Sequence, residues 1–154
     1  MDQSQFTHPT QLSVRNYEID WQGILHNAVY LQYFEVGRIE YLKHLGMTID
    51  RTSIRDQARL VLVRNEINYR SSARFDDLMT IFTRISYIRN TSFTFEGLMV
   101  DGNTDRLVSE NIAIHVWLDP LSGEPVRVSD DFRMKVRRFE GEHVTIDGSD
   151  FPKQ

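Results

Sequence analysis

The residues 17–45, YEIDWQGILHNAVYLQYFEVGRIEYLKHL, decide how this 154-residue chain is read. Apolar side chains at Tyr30, Leu31, Phe34, Tyr41, Leu42 and Leu45 fall three, four or seven apart, the spacing of one helical face. Asn27 is placed to cap the helix start, because its carboxamide can accept from a free first-turn amide. Gly46 follows the last periodic residue, where a left-handed C-cap is expected. Gly37 sits inside the helix at a cost of about 1 kcal/mol against alanine. A helix laid closely across a sheet would account for it. Upstream, a carboxylate (Asp20), a turn at Gly23, His26 and the helix start follow in close succession. First-turn amides are unsatisfied donors at the positive end of the helix dipole, suited to an oxyanion. A carboxylate beside them can attack a carbonyl or activate water. Spacing alone leaves the plainer reading open, an Asp that merely serves a turn.

Working outward, Leu12 to Tyr17 alternates as a first strand, with Leu12 and Val14 on one face. From Met47 to Gln57 the chain is polar and irregular, a connecting loop or short helix. Four strand-like runs follow: Leu60–Tyr69, Leu78–Ile88, Ser92–Val100 and Leu107–Leu118. Ile81, Ile85 and Tyr87 are expected on one face of the second run, and Phe93, Phe95, Gly97 and Met99 on one face of the third. In the fourth, Ile112, Ile114, Val116 and Leu118 oppose Ala113, His115 and Trp117. Turn residues fill 101–105 and 119–125. Ser129 is a helix N-cap with Asp130 and Asp131 in the first turn, and Phe132, Val136 and Phe139 share a face. Residues 1–9 and 141–154 read as loose tails. One long helix followed by four strands is an α+β order: a single domain, 1–154, with an antiparallel sheet wrapped around one central helix. Such a sheet has open edges, which favours pairing in a dimer.

Composition narrows the function classes. Apolar residues make up 40% and charged residues 26%, ordinary for a globular protein. A net charge of −4 argues against non-specific nucleic-acid binding. The absence of cysteine removes disulfides, a thiolate nucleophile and thiolate-bound metal. No secretory signal and no apolar run long enough to span a membrane are present, so a cytoplasmic protein is the default. The histidines at 8, 26, 44, 115 and 143 form no His-x-x-x-His pair, and no EF-hand or glycine-rich phosphate loop occurs. No metal and no cofactor are expected.

The block Asp20-Trp21-Gln22-Gly23-Ile24-Leu25-His26-Asn27-Ala28-Val29-Tyr30 resembles the signature of the hotdog-fold acyl-CoA thioesterases, in particular the 4-hydroxybenzoyl-CoA thioesterase-like group. The likeness extends loosely over Leu12 to Phe139, and the Glu-x-x-Arg pair Glu35 and Arg38 also matches. Ile19 departs from the usual Thr or Cys, Glu18 from an upstream Asp, and Asn27 stands where many members have His or an aromatic. The resemblance implies a hotdog fold, assembly as a homodimer or homotetramer, and hydrolysis of an acyl-CoA substrate. It places the catalytic carboxylate at Asp20, as nucleophile or general base, and an oxyanion-binding amide at Asn27. It implies contacts to the phosphates or pantetheine of coenzyme A from the Arg89, Asn90, Ser92 turn. Gly23, His26 and Tyr30 beside the carboxylate are further candidate substrate contacts, with a packed or surface histidine the plainer reading of His26. Alternatives are a thioesterase for acyl carrier protein, or a hotdog protein that binds acyl groups without hydrolysis. Arg70, Ser71, Ser72 and Arg74 form a second basic, hydroxyl-rich patch at a strand end. Glu35 and Arg38, three apart on the helix, are expected to form an ion pair.

Overall fold

The alternating runs pair into a sheet, and the helix of the 17–45 stretch lies across it. A computed structural model describes residues 1–50 and 59–148. The elements in chain order are β1 (His8–Ser13), α1 (Asn27–His44), β2 (Arg59–Tyr69), β3 (Leu78–Ile88), β4 (Ser92–Asp101), β5 (Leu107–Leu118), α2 (Asp130–Glu140) and β6 (Thr145–Ile146). The strand order is β1-β3-β4-β5-β2, antiparallel throughout, and β6 joins β3 in parallel beyond the end of β1. Helix α1 packs on one face of this sheet against β1, β3 and β4. This is the α+β arrangement that the element order implied, and the hotdog fold that the resemblance implied.

The seat of α1 explains its glycine. A Cβ on Gly37 would stand 2.7 Å from Thr83 Oγ1 and 2.8 Å from Ile81 Cγ2, so the backbone of α1 rests directly on β3. One turn earlier, the Phe34 ring occupies the space above Gly97 of β4. Tyr30, Tyr33, Phe34, Tyr41 and Leu42 are buried. Tyr33 thus joins the periodic stripe, while Leu31 is only half-buried. The C-terminus closes as expected: Gly46 takes φ 79°, its N–H donates to Lys43 O, and Met47 N–H donates to Leu42 O. The N-cap is His26 rather than Asn27, which becomes the first helical residue.

Other boundaries move for local reasons. β1 runs from His8 to Ser13 instead of Leu12 to Tyr17, because Asn16–Glu18 turn into a 3-10 helix. Residues expected as loose tails carry structure: Gln3–Gln5 is a 3-10 turn capped by Asp2, and Gly141–His143 is another, leading into β6. Residues 51–57 of the expected connection and 149–154 of the tail lie outside the described residues. In β3 the register shifts between Ile85 and Tyr87. Ile88 therefore takes the buried place beside Phe93, and Tyr87 leaves that face to bond Asp147. On β5 the helix side carries Ala113, His115 and Trp117, and the isoleucines face the other side.

Candidate active site

The loop that leads into α1 is built by short backbone bonds. Asp20 N–H donates to Ile24 O and Gly23 N–H to Asp20 O, while Ile19 and Leu25 pair as an isolated bridge. The tight turn requires Gly23 at φ 77°, which a side chain would strain. Leu25 N–H donates to Ala73 O, so the loop is tied to the segment after β2. Beneath it lies Glu18, 8% exposed, whose carboxylate accepts from the Tyr33 hydroxyl and from Arg15 N–H. Burial first, and then the Glu18 carboxylate, push the Tyr33 hydroxyl well above the usual phenol range. The sequence marked Glu18 only as a departure from a pattern. Its pairing with Tyr33 needed the fold to become visible.

Asp20 is half-buried. Its Oδ1 accepts from Gln22 N–H at 2.8 Å and, at 3.5 Å, from Ile24 N–H. Its second oxygen has no partner among the described residues. Next to this turn, His26 Nδ1 accepts from Ala28 N–H at 3.1 Å, and Val29 N–H donates to His26 O. The N–H of Asn27 is left without an acceptor among the described residues, at the positive end of an eighteen-residue helix. Tyr69, at the end of β2, donates its hydroxyl to Asn27 O at 3.0 Å and stands edge-on to Tyr30, ring centroids 5.1 Å apart. Burial raises the Tyr30 hydroxyl above its ordinary pKa.

These groups share one cleft of about 580 Å³, lined by Asp20, His26, Asn27, Tyr30, Tyr69 and the segment Arg70–Ser72. The structure therefore brings together Asp20, His26, Asn27 and Tyr30, with Gly23 shaping the turn. It also adds the Arg70, Ser71, Ser72 patch. Arg70 is anchored to Glu110 at 2.6 Å, and the Ser71 hydroxyl donates to Leu107 O. Trp21 stands 92% exposed at the mouth. Arg89, Asn90 and Ser92 lie in the β3–β4 turn, at the other end of the sheet from the cleft. There the carbonyls of Arg89 and Asn90 accept from the buried guanidinium of Arg133 on α2. Within one protomer they do not meet Asp20. The expected Glu35–Arg38 ion pair does not close either: Glu35 sits exposed at the rim of a second cavity, where its charge still acts on Arg38, and Arg38 turns inward to Asn111. Among the described residues, no three His, Asp or Glu side chains cluster as a metal site. No helix among them is long and apolar enough to cross a membrane.

Comparison with known proteins fits this geometry. Residues 14–136 match the thioesterase-like superfamily. The chain is 30% identical over 132 residues to the chloroplastic acyl-acyl carrier protein thioesterase ATL3 of Arabidopsis thaliana, covering 86% of this chain and 68% of that one. It is 28% identical over 108 residues to the acyl-CoA thioester hydrolase YbgC of Escherichia coli, covering 70% and 79%. A predicted thioesterase from Bacillus stearothermophilus superposes with a TM-score of 0.76 at 26% identity, over 91% of this chain and 98% of that one.

Proposed function

The chain belongs to the thioesterase-like superfamily and is a thioester hydrolase, and on that premise we propose that it cleaves an acyl-CoA to the free acid and coenzyme A. Asp20 is the reacting carboxylate and the Asn27 N–H is the oxyanion donor. The observation that supports this reading is the pairing in one cleft of a carboxylate and a helix N-terminus, one oxygen of the first and one amide of the second unengaged among the described residues. A thioester expels a thiolate that needs no protonation, so one carboxylate and one oxyanion donor suffice. Asp20 acts either by direct attack, giving an anhydride, or by removing a proton from the attacking water. Asp20→Asn tests the assignment: thiol release from a panel of aliphatic and aromatic acyl-CoA thioesters should fall by about 10³-fold or more with the fold intact. Unchanged turnover would move the chemistry elsewhere.

Strand β2 is an edge, and its Val61, Leu62 and Val63 are 41%, 42% and 58% exposed. Two copies paired antiparallel along this edge would set the Leu60 end of one β2 beside the Tyr69 end of the other. The partner's β3–β4 turn, with its Arg89, Asn90 and Ser92, would then approach the cleft, where guanidinium, amide and hydroxyl suit the phosphates of coenzyme A. A homodimer, able to pair again as a homotetramer, and a cytoplasmic location accompany this reading. The kinship with ATL3 favours a second substrate reading, acyl carrier protein. The same acyl group presented on both carriers separates the two by the ratio of kcat/KM.

A further inference from the structure

A second cavity of about 430 Å³ opens between α1 and the outer strands β2 and β5. Its walls are mostly apolar, with Leu31, Ile39, Leu42, Leu62 and Phe95 among them. Arg38 nevertheless faces into it, 7% exposed. Among the described residues its guanidinium makes one hydrogen bond, Nη1 to Asn111 Oδ1 at 3.2 Å, and no carboxylate lies within 4 Å. Asn111 is itself fixed, since its Nδ2 donates to Asn65 Oδ1 and Glu66 O. The guanidinium is thus held in place with most of its five donors unmet. His115 forms another wall, its ring stacked on Phe93 and edge-on to Phe95, and its Nδ1 is buried without a partner among the described residues. Burial, and then the nearby Arg38 charge, push the His115 pKa down to about 4, so the ring is neutral near pH 7. Glu35 lines the cavity from its exposed rim.

A buried cation with unmet donors in an apolar-walled space is costly unless an anionic or polar oxygen completes it. Arg38 lies about three turns, roughly 16 Å, along α1 from Asn27 and on the same helical face. Both cavities border β2, the first at its Tyr69 end and the second at its Leu60–Asn65 end. We propose that the second cavity receives the far end of the acyl group and selects thioesters that carry a second carboxylate there, bound by the Arg38 guanidinium. The apolar walls take the methylene chain, and the planar fork of Arg38 matches the terminal carboxylate. The inference rests on the acyl-CoA reading above and names its substrate class.

The test compares kcat/KM for length-matched pairs, from hexanoyl- and adipoyl-CoA to hexadecanoyl- and hexadecanedioyl-CoA, on the full chain. At the best-fitting length the native protein should prefer the diacid thioester by at least about ten-fold. Arg38→Met should bring that ratio to one or below, and Arg38→Lys should leave it intermediate. If Arg38→Met does not fold, competition on the native protein replaces it: dodecanedioic acid should inhibit hexanoyl-CoA hydrolysis at lower concentration than dodecanoic acid. Native turnover without any diacid preference overturns this inference and leaves the hydrolase reading standing. Full turnover by Asp20→Asn would instead sink the site assignment itself. An Arg38→Met protein that keeps the ratio but changes its sedimentation would assign the guanidinium to an interface, and would also overturn the proposal.

Discussion

Substitution of Gly37 by alanine tests the contact that positions α1. Intrinsic helix propensity favours alanine by about 1 kcal/mol. The structure opposes it, because the new methyl would stand 2.7 Å from Thr83 Oγ1 and 2.8 Å from Ile81 Cγ2. Carbon contacts are optimal at about 3.5–4.0 Å, so the Ile81 methyl overlaps by roughly 0.7 Å or more, with the Thr83 oxygen also inside contact distance. Thr83 can rotate, since its buried hydroxyl has no hydrogen-bond partner to lose among the described residues. Ile81 cannot yield: it is fully buried on β3, which is hydrogen-bonded on both sides by β1 and β4. The helix must lift. Overpacking of this kind costs about 1–3 kcal/mol, leaving a net loss of up to about 2 kcal/mol after the propensity gain. For a domain of this length a loss of about 2 kcal/mol lowers Tm by about 4–8 °C. Because α1 also carries the Asn27 amide, its displacement should reduce kcat/KM by about ten-fold or more. Differential scanning calorimetry and thiol release measure the two effects. An alanine variant as stable and as active as the native protein would show that α1 does not rest on β3 at this point.

Three further outcomes are expected. Glu18→Gln weakens the bonds from Tyr33 and Arg15, should cost about 1–3 kcal/mol in urea unfolding, and should lower kcat with little change in KM. An unchanged kcat would detach the buried carboxylate from the placing of Asp20. His115 is held neutral when folded, with its pKa near 4 against 6.5 for the free side chain, so its stabilisation is present above pH 6.5 and is lost as pH falls towards 4. That loss is about 2–3 kcal/mol, below the full difference because the ring is only partly buried. His115→Gln should remove it, and equal acid sensitivity of both proteins by urea titration at pH 7 and 4 would refute this. On the proposed pairing along β2, Val61→Lys with Val63→Lys should give monomers in sedimentation velocity where the native chain gives dimers, and a dimer that persists would place the interface elsewhere.

The sequence disclosed those features that depend on neighbours along the chain. Periodicity located α1, its Gly46 cap, the four long strands and the helix after Ser129, because each is written in local spacing. A mid-helix glycine announced the close sheet before any partner was known. What escaped was decided across the fold. Nothing in the spacing of Ile85 and Tyr87 marks the bulge that exchanges Tyr87 for Ile88. Glu35 and Arg38 have ideal ion-pair spacing, yet Asn111, 73 positions away, takes the guanidinium. The N-cap passed from Asn27 to His26 because the loop's own bonds, from Asp20 to Ile24 and from His26 to Glu18, set where helical backbone begins. In the candidate site, Asp20, His26, Asn27 and Tyr30 were legible since they lie on one continuous segment. Whether the Arg89 turn serves the same cleft was not, because that depends on a second copy of the chain.

The site divides its demands between two kinds of support. The Asn27 amide belongs to a helix fixed by close backbone packing, where Gly37 meets β3 and Phe34 covers Gly97. Asp20 belongs to a loop, which by itself would sample many positions. That loop is joined to the helix twice: Glu18 takes the Tyr33 hydroxyl from below, and His26 N–H returns to Glu18 O from the helix start. The Asp20 carboxylate and the Asn27 amide are therefore referenced to the same helix, and the bonds from Leu25 N–H to Ala73 O and from the Tyr69 hydroxyl to Asn27 O tie both to the end of β2. On the function proposed above, variation at Ser71 and Ser72 in the cleft's other wall, which make no bond to the loop or to Asn27, can alter the acyl group accepted while leaving Asp20 and Asn27 in place. It follows that substitutions at Ser71 or Ser72 should redistribute kcat/KM among acyl groups, whereas those at Glu18 or Tyr33 should lower it for every acyl group alike.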